Sequence, residues 1–169
     1  FQRTHDRKKY LLRMLVFALI SEIPFNYLYY SSPVFPFHQN VMFTFFIALL
    51  LMLGLEKVRS KGTGMYILAA VLSLPVGYFL GTIGMVDYYG SGVVTVLIFY
   101  LCRQIPYGWI GEVAGLAFLN CKLLGGMTIP LTLGSWTLEF PEQGLALLAL
   151  IPIWLYNGRQ GAHNKADRK

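Results

Sequence analysis

The sequence predicts an all-α fold, a polytopic bundle of transmembrane helices that crosses the bilayer about six times with both termini in the cytoplasm. Apolar residues make up 56% of the chain and charged residues only 13%, whereas ordinary globular domains carry about 25% charged residues. So few charges cannot cover the surface of a soluble protein of this length. The apolar residues also fall in long runs. We therefore expect one transmembrane helical domain over residues 1–169.

Apolar runs that approach the length of a membrane span recur along the whole chain. About 20 helical residues cross the hydrocarbon core of a bilayer. The candidate spans extend over about Tyr10–Tyr30, Val41–Glu56, Gly64–Ile83, Gly90–Leu101, Trp109–Leu124 and Gly144–Tyr156. The fourth run is short, so it is either tilted, flanked by buried non-helical turns, or re-entrant.

The basic residues predict how these spans are oriented. Cytoplasmic loops of membrane proteins carry an excess of Lys and Arg. Basic residues precede the first run, separate the second from the third and the fourth from the fifth, and follow the sixth. Only Lys122, at the end of the fifth run, falls on the opposite side. That other side holds Asp87, Trp136, Glu139 and Glu142. The net charge of +6 thus reflects membrane topology, and nucleic-acid binding is not indicated.

Motifs for metal binding and for soluble enzymes are not found in the sequence. Cys102 and Cys121 have no spaced partners for a zinc site or a disulfide framework. His5, His38 and His163 lie outside the apolar runs and lack the spacing of metal ligands. There is no nucleophile elbow, phosphate loop or dinucleotide fingerprint, so soluble hydrolase and nucleotide-binding chemistry are not indicated.

The first span is interrupted by Arg13, Glu22 and Asn26. Each ion at a helix centre costs about 2.5–3.5 kcal/mol on insertion scales, so something must compensate for it. Glu22 and Asn26 share one face of the helix, and Pro24 between them frees a backbone carbonyl. This polar notch is either a membrane-embedded functional site or a polar clasp between helices. Arg13 is either a snorkelling anchor or part of a site for an anionic ligand.

Two further groups of polar residues lie near the ends of spans. Asn40 and Thr44 repeat the i,i+4 polar pairing where the second span begins, and Asn40 suits a helix N-cap. Asp87 and Tyr88 lie in a turn with flexible glycines after the third span. That turn either orders a substrate or is simply an interfacial turn.

Several of these segments carry a family resemblance. Residues 3–13, RTHDRKKYLLR, and residues 17–26, FALISEIPFN, are its most specific part. Shorter matches are residues 40–45, the turn at residues 87–90, and Tyr156-Asn157-Gly158. In these segments the chain resembles the TraX family of membrane acyltransferases. Members are similar to the conjugal pilin N-acetylase and to transmembrane enzymes that move an acyl group from cytoplasmic acyl-CoA to an acceptor at or beyond the membrane.

The resemblance implies an acyltransferase of the bacterial cytoplasmic (inner) membrane. Its donor would be acyl-CoA, expected to be acetyl-CoA. Its acceptor would be a pilin-like peptide amine or an envelope glycan. No metal would be needed. A His base would deprotonate the acceptor, with an Asp or Glu to orient it. The candidates are Glu22 and Asp87 for catalytic support, Asn26, Asn40, Thr44 and Tyr88 for substrate binding, and Arg3, Arg7, Lys8 and Arg13 for the phosphates of CoA.

The resemblance also implies that the chain is a piece of a longer protein. Family members begin with another membrane helix that bears an Asp-His pair and finish with an aromatic-rich helix that contains a late histidine. We therefore expect the catalytic base in a flanking helix and do not assign it to His5, His38 or His163.

Two other functions remain open at this point. A small transporter or channel would line its solute path with the polar notches of the first two spans. A non-catalytic membrane subunit would bind a partner through glycine-faced helices. Binding of acyl-CoA would distinguish the acyltransferase from both.

Overall fold

The structure, a computed structural model, describes residues 4, 6–103, 105–134 and 136–156. The chain is mostly helical and divides into two compact units, Phe1–Gly115 and Leu116–Lys169. Each unit is described by itself below. The expectation of a single domain over residues 1–169 stays a prediction.

The helices and strands follow one another in a simple order. They are α1 (Arg7–Tyr30), α2 (Val41–Arg59), α3 (Thr63–Ile83), α4 (Tyr89–Cys102), α5 (Gly108–Phe118), a π-helical turn (Leu119–Leu123), β1 (Thr128–Leu133), β2 (Trp136–Pro141), a 3-10 helix (Glu142–Ala149) and α6 (Leu150–Leu155). In the part of the chain that the structure describes, α1, α2 and α3 are long and apolar enough to cross a membrane.

The predicted runs correspond well to the helices in the first unit. The fourth run forms α4, which has only 14 residues, as its short sequence indicated. The fifth run is α-helical only to Phe118 and then widens into the π-helical turn. The sixth run begins as a 3-10 helix and becomes α-helical at Leu150. The later runs are thus less regular than the sequence predicted.

The core of the first unit is built around α2, which packs against α1, α3 and α4. The buried apolar residues of this core come mainly from α2 and α4. They are Ala48, Leu49, Met52, Leu55, Val86, Val93, Leu97 and Tyr100. Helix α3 approaches α4 through glycines: a Cβ added at Gly81 would lie 2.7 Å from the carbonyl oxygen of Tyr89. Small residues therefore allow the backbones of α3 and α4 to come close together.

Helix α1 presents most of its apolar surface outward. Only Ala18 and Asn26 are buried in this helix, although it contains many large apolar side chains. In water such a helix would be unstable, whereas in lipid its exposed apolar side chains need no cover. Tyr10, Leu11 and Met14 of α1 pack against the core, and the few polar side chains that the helix turns inward add to this contact.

The second unit contains the element that the sequence did not predict. Strands β1 and β2 pair antiparallel, with Thr128 opposite Pro141 and Leu133 opposite Trp136. The all-α prediction is wrong for this segment, which lies between the fifth and sixth predicted runs. Pro130 lies within β1, and a two-stranded sheet tolerates it because both strands are edge strands. Gly134, just after β1, has a φ of 63°, which favours glycine.

Candidate functional site

Glu22 of α1 and Asn40 at the start of α2 form a polar clasp between the two helices. The side-chain amide of Asn40 donates to Glu22 Oε2 at 2.6 Å and to the carbonyl oxygen of Ala18 at 2.9 Å. The backbone N–H of Asn40 also donates to Glu22 Oε2, at 3.1 Å. In addition, Asn40 Oδ1 accepts from the N–H of Met42, which makes Asn40 the N-cap that the sequence predicted for α2. Asn40 thus both caps α2 and joins α2 to α1 through hydrogen bonds.

The notch in α1 also holds two acceptor atoms without partners. Among the described residues, Glu22 Oε1 and Asn26 Oδ1 are buried side-chain oxygens with no hydrogen-bond partner. Asn26 is only 1% exposed, and its amide nitrogen lies a long 3.5 Å from the carbonyl oxygen of Pro33. Buried acceptors are nearly always paired, because an unpaired one loses its hydration without compensation. These two oxygens therefore suit a bound group that donates hydrogen bonds.

A second polar cluster lies where α1 ends and α4 begins. The hydroxyl of Tyr30 lies 2.5 Å from His38 Nδ1, and His38 Nε2 lies 3.5 Å from Asp87 Oδ1. The aromatic rings of Phe25 and Phe35 line this cluster: Phe35 stacks on Tyr30 at 3.8 Å between centroids, and Phe25 meets the His38 ring edge-on at 5.4 Å. The imidazole is therefore held between a phenol and a carboxylate.

The turn that carries Asp87 is attached firmly to the start of α2. The buried hydroxyl of Thr44 donates to the carbonyl oxygen of Asp87 at 3.0 Å, and the N–H of Gln39 donates to Met85 at 2.8 Å. Met85, Tyr88 and the first residue of α4 adopt positive φ values, a strained conformation for residues other than glycine. The Tyr88 side chain is exposed.

The basic residues at the beginning of α1 lie at the opposite end of that helix. Arg7 Nη1 lies 3.4 Å from Glu56 Oε2, and the Tyr100 hydroxyl donates to Glu56 Oε1 at 2.5 Å. Lys8 and Arg13 are exposed. The candidate Arg3 lies outside the described residues. Of the basic candidates that the structure describes, Arg7 is thus engaged in an ion pair.

The structure brings together residues that the sequence analysis kept apart. Glu22, Asn26 and Asn40 meet at the α1–α2 contact, while Thr44 and Asp87 meet through a side-chain to backbone hydrogen bond. Tyr30 and His38 were not among the predicted site residues. A signal for His38 existed in its position, just before the Asn40 cap in a loop rich in aromatic residues, but its partner Asp87 is distant in the sequence.

Metal-binding geometry does not occur in the part of the chain that the structure describes, where no three His, Cys, Asp or Glu side chains come together. The described site consists of hydrogen-bonding groups and one imidazole. Such groups can bind a polar substrate and move a proton.

Comparison with known proteins identifies the family. The family model described as TraX protein matches residues 1–165. No curated protein and no solved structure shows significant similarity to the chain. The family match confirms the resemblance noted in the sequence. Because the match extends over nearly the whole sequence, the chain belongs to the TraX family.

Proposed function

We propose that this protein is a membrane acyltransferase that moves an acyl group, expected to be acetyl, from cytoplasmic acyl-CoA to an acceptor at or beyond the bilayer. The acceptor would be a pilin-like peptide amine or an envelope glycan. The observation that carries the proposal is the pair of unpartnered buried oxygens, Glu22 Oε1 and Asn26 Oδ1, inside an apolar helix of a TraX-family chain. Polar groups in membrane helices mark functional sites because their burial is expensive.

The proposed topology places the two polar regions of the first unit on opposite sides of the bacterial cytoplasmic membrane. If the predicted runs cross about six times with both termini inside, α1 leads from the cytoplasm outward. The basic residues Lys8 and Arg13 then lie at its inner end, and the cluster of Tyr30, His38 and Asp87 lies at its outer end. The notch lies between them. This order matches a donor that arrives from inside and an acceptor that arrives from outside.

The inner end of α1 suits the phosphates of CoA. The positive end of the helix dipole lies there, and the first turn carries basic but no acidic residues. Asp6 caps this helix end by accepting from the N–H of Lys9. The exposed side chains of Lys8 and Arg13, rather than the helix end itself, would therefore bind the phosphates. Lys8 and Arg13 are exposed and therefore better placed for a ligand than Arg7, which is paired with Glu56. Arg13 and Glu22 lie about 14 Å apart along the axis of α1, a distance suited to a donor with a long arm.

In the notch, Glu22 and Asn26 would hold the reacting groups. The two free oxygens would accept hydrogen bonds from N–H or O–H groups of the acceptor that lie beside its nucleophilic atom, and would so orient that atom toward the thioester. The hydrogen bonds of Asn40 and Thr44 are used within the protein, so we assign them a positioning role rather than substrate contact. Asp87 supports the site through His38, and Tyr88 remains a candidate for acceptor contact because its ring is exposed.

Turnover of acyl-CoA by the full-length protein in nanodiscs tests this proposal. The assay follows the release of the CoA thiol and, by mass spectrometry, acylation of a peptide with a free N-terminal amine or of an oligosaccharide. Glu22→Gln keeps the shape of the side chain, but its one amide oxygen must accept from Asn40, so an N–H donor replaces the free acceptor oxygen. We expect the misoriented substrate to lower kcat by at least about 100-fold. Glu139→Gln, at an exposed carboxylate of β2, is the matched control and keeps wild-type activity.

The opposite outcomes are equally informative. A well-folded protein that neither binds nor cleaves any of several acyl-CoAs would refute the acyltransferase and favour the transporter or scaffold. Equal activity of Glu22→Gln and Glu139→Gln would remove the notch from the active site.

A further inference from the structure

We propose that Tyr30, His38 and Asp87 form a proton relay that accepts the proton of the acyl acceptor, with Tyr30 as the residue that meets the acceptor. The inference rests on the proposed acyltransferase function and assigns the base to His38 of this chain, in place of the flanking-helix histidine that the family resemblance implies. It stands on the geometry of the cluster where α1 ends and α4 begins.

The contacts of the imidazole determine its hydrogen-bonding roles. An ionised carboxylate can only accept, so we assign to Nε2 of His38 the hydrogen that faces Asp87 Oδ1 at 3.5 Å. In this neutral tautomer Nδ1 is an acceptor, and the hydroxyl of Tyr30 donates to it at 2.5 Å. The same order of groups, a carboxylate that orients an imidazole and an imidazole that accepts from a hydroxyl, makes up the serine protease triad.

Both imidazole nitrogens are occupied, so a substrate proton must enter through the phenol. As the nucleophilic atom of the acceptor bonds to the acyl carbon, its proton passes to the Tyr30 oxygen while the Tyr30 proton passes to His38 Nδ1. The carbon–sulfur bond breaks, and the CoA thiolate leaves. Asp87 stabilises the imidazolium until its extra proton neutralises the thiolate, which restores the relay and yields the CoA thiol.

The surroundings hold the relay in one arrangement. Phe35 stacks on the Tyr30 ring with an angle of 14° between the planes, which restricts the direction of the hydroxyl. The turn that carries Asp87 is held by Thr44. The His38 and Asp87 side chains are 27% and 29% exposed, so the cluster is shielded from solvent but not sealed from a substrate. A fixed and partly desolvated relay is what proton transfer requires.

A purely structural role is the competing explanation, because the same contacts tie the loop before α2 to the turn before α4. Tyr30→Phe separates the two roles, since it removes only the hydroxyl and keeps the ring that stacks on Phe35. The matched control is Tyr29→Phe, the same change on the neighbouring ring, which is 64% exposed. Both variants are measured in the full-length protein in nanodiscs with acetyl-CoA and the peptide and oligosaccharide acceptors.

We expect Tyr30→Phe to lower kcat by about 100-fold or more with the KM for acetyl-CoA unchanged, while Tyr29→Phe matches the wild type. Asp87→Asn allows an amide N–H to face Nε2, which favours the hydrogen on Nδ1 and turns His38 from acceptor to donor toward Tyr30. Nitrogen-15 NMR reads this tautomer directly, with the His38 signals assigned from their loss in His38→Gln. A structural tie alone would leave kcat in Tyr30→Phe at the wild-type level once the variant is folded.

Each outcome decides a different point. Wild-type turnover in Tyr30→Phe, or a wild-type His38 signal with the hydrogen on Nδ1, overturns the relay and leaves the acyltransferase intact. No transfer by the wild-type protein to any acceptor overturns the proposed function, and with it the catalytic role of the relay.

Discussion

Replacing Asn40 by alanine removes three side-chain hydrogen bonds at once and tests the clasp between α1 and α2. The N-cap bond to Met42 is worth about 1 kcal/mol. The bond to the Glu22 carboxylate adds about 1.5–3 kcal/mol, and the bond to Ala18 adds about 0.5–1.5 kcal/mol. Asn40 is only 4% exposed, so water cannot replace these partners. The free energy of unfolding should therefore fall by about 4 kcal/mol.

Asn40→Ser distinguishes the cap from the clasp, because serine also caps helices but cannot reach both partners on α1. We expect Asn40→Ser to lower the free energy of unfolding by about 3 kcal/mol. This loss is smaller than that of Asn40→Ala by roughly the energy of the cap, which serine retains. The assay is unfolding of the purified protein in mixed detergent micelles, followed by the loss of helical circular dichroism. A loss of no more than about 1 kcal/mol in Asn40→Ala would refute the clasp, since the cap alone accounts for that amount.

The remaining predictions concern packing and the ion pair. Gly81→Ala should destabilise the protein by about 1–3 kcal/mol in the same unfolding assay because its Cβ would meet the Tyr89 backbone, whereas Gly54→Ala, with open space around it, should be neutral or slightly stabilising. Tyr100→Phe should lower the free energy of unfolding by about 1–3 kcal/mol, since it leaves Glu56 without its buried phenol donor. This loss should exceed that of Arg7→Gln, and the reverse order would contradict the prediction. Arg7→Gln should lower the free energy of unfolding by less than about 1 kcal/mol because water partly screens this pair, whose side chains are 38% and 20% exposed.

Much of the first unit could be predicted from the sequence. The spans of α1 to α3 follow from apolar runs of membrane length, and the short α4 follows from the short fourth run. The Asn40 cap is a local effect of one side chain on the next turn of backbone, so it too is readable from sequence. The hairpin was missed although apolar and polar residues alternate over residues 128–133 and 136–140 around Gly134 and Ser135, residue types that are typical of turns. Pro130, which usually argues against a strand, and the membrane-length apolar runs on either side made this segment resemble a loop.

The candidate site divides in the same way. The polar notch of Glu22 and Asn26 is visible in the sequence because both residues lie one helical turn apart in a single apolar run. The tie of Glu22 to Asn40 and the relay of Tyr30, His38 and Asp87 are contacts between different elements. The sequence by itself thus determined the membrane-like helices, the local caps and the unusual polarity of α1. Only the tertiary structure decided which polar groups meet, because that depends on how the helices pack and on the turns that bring their ends together.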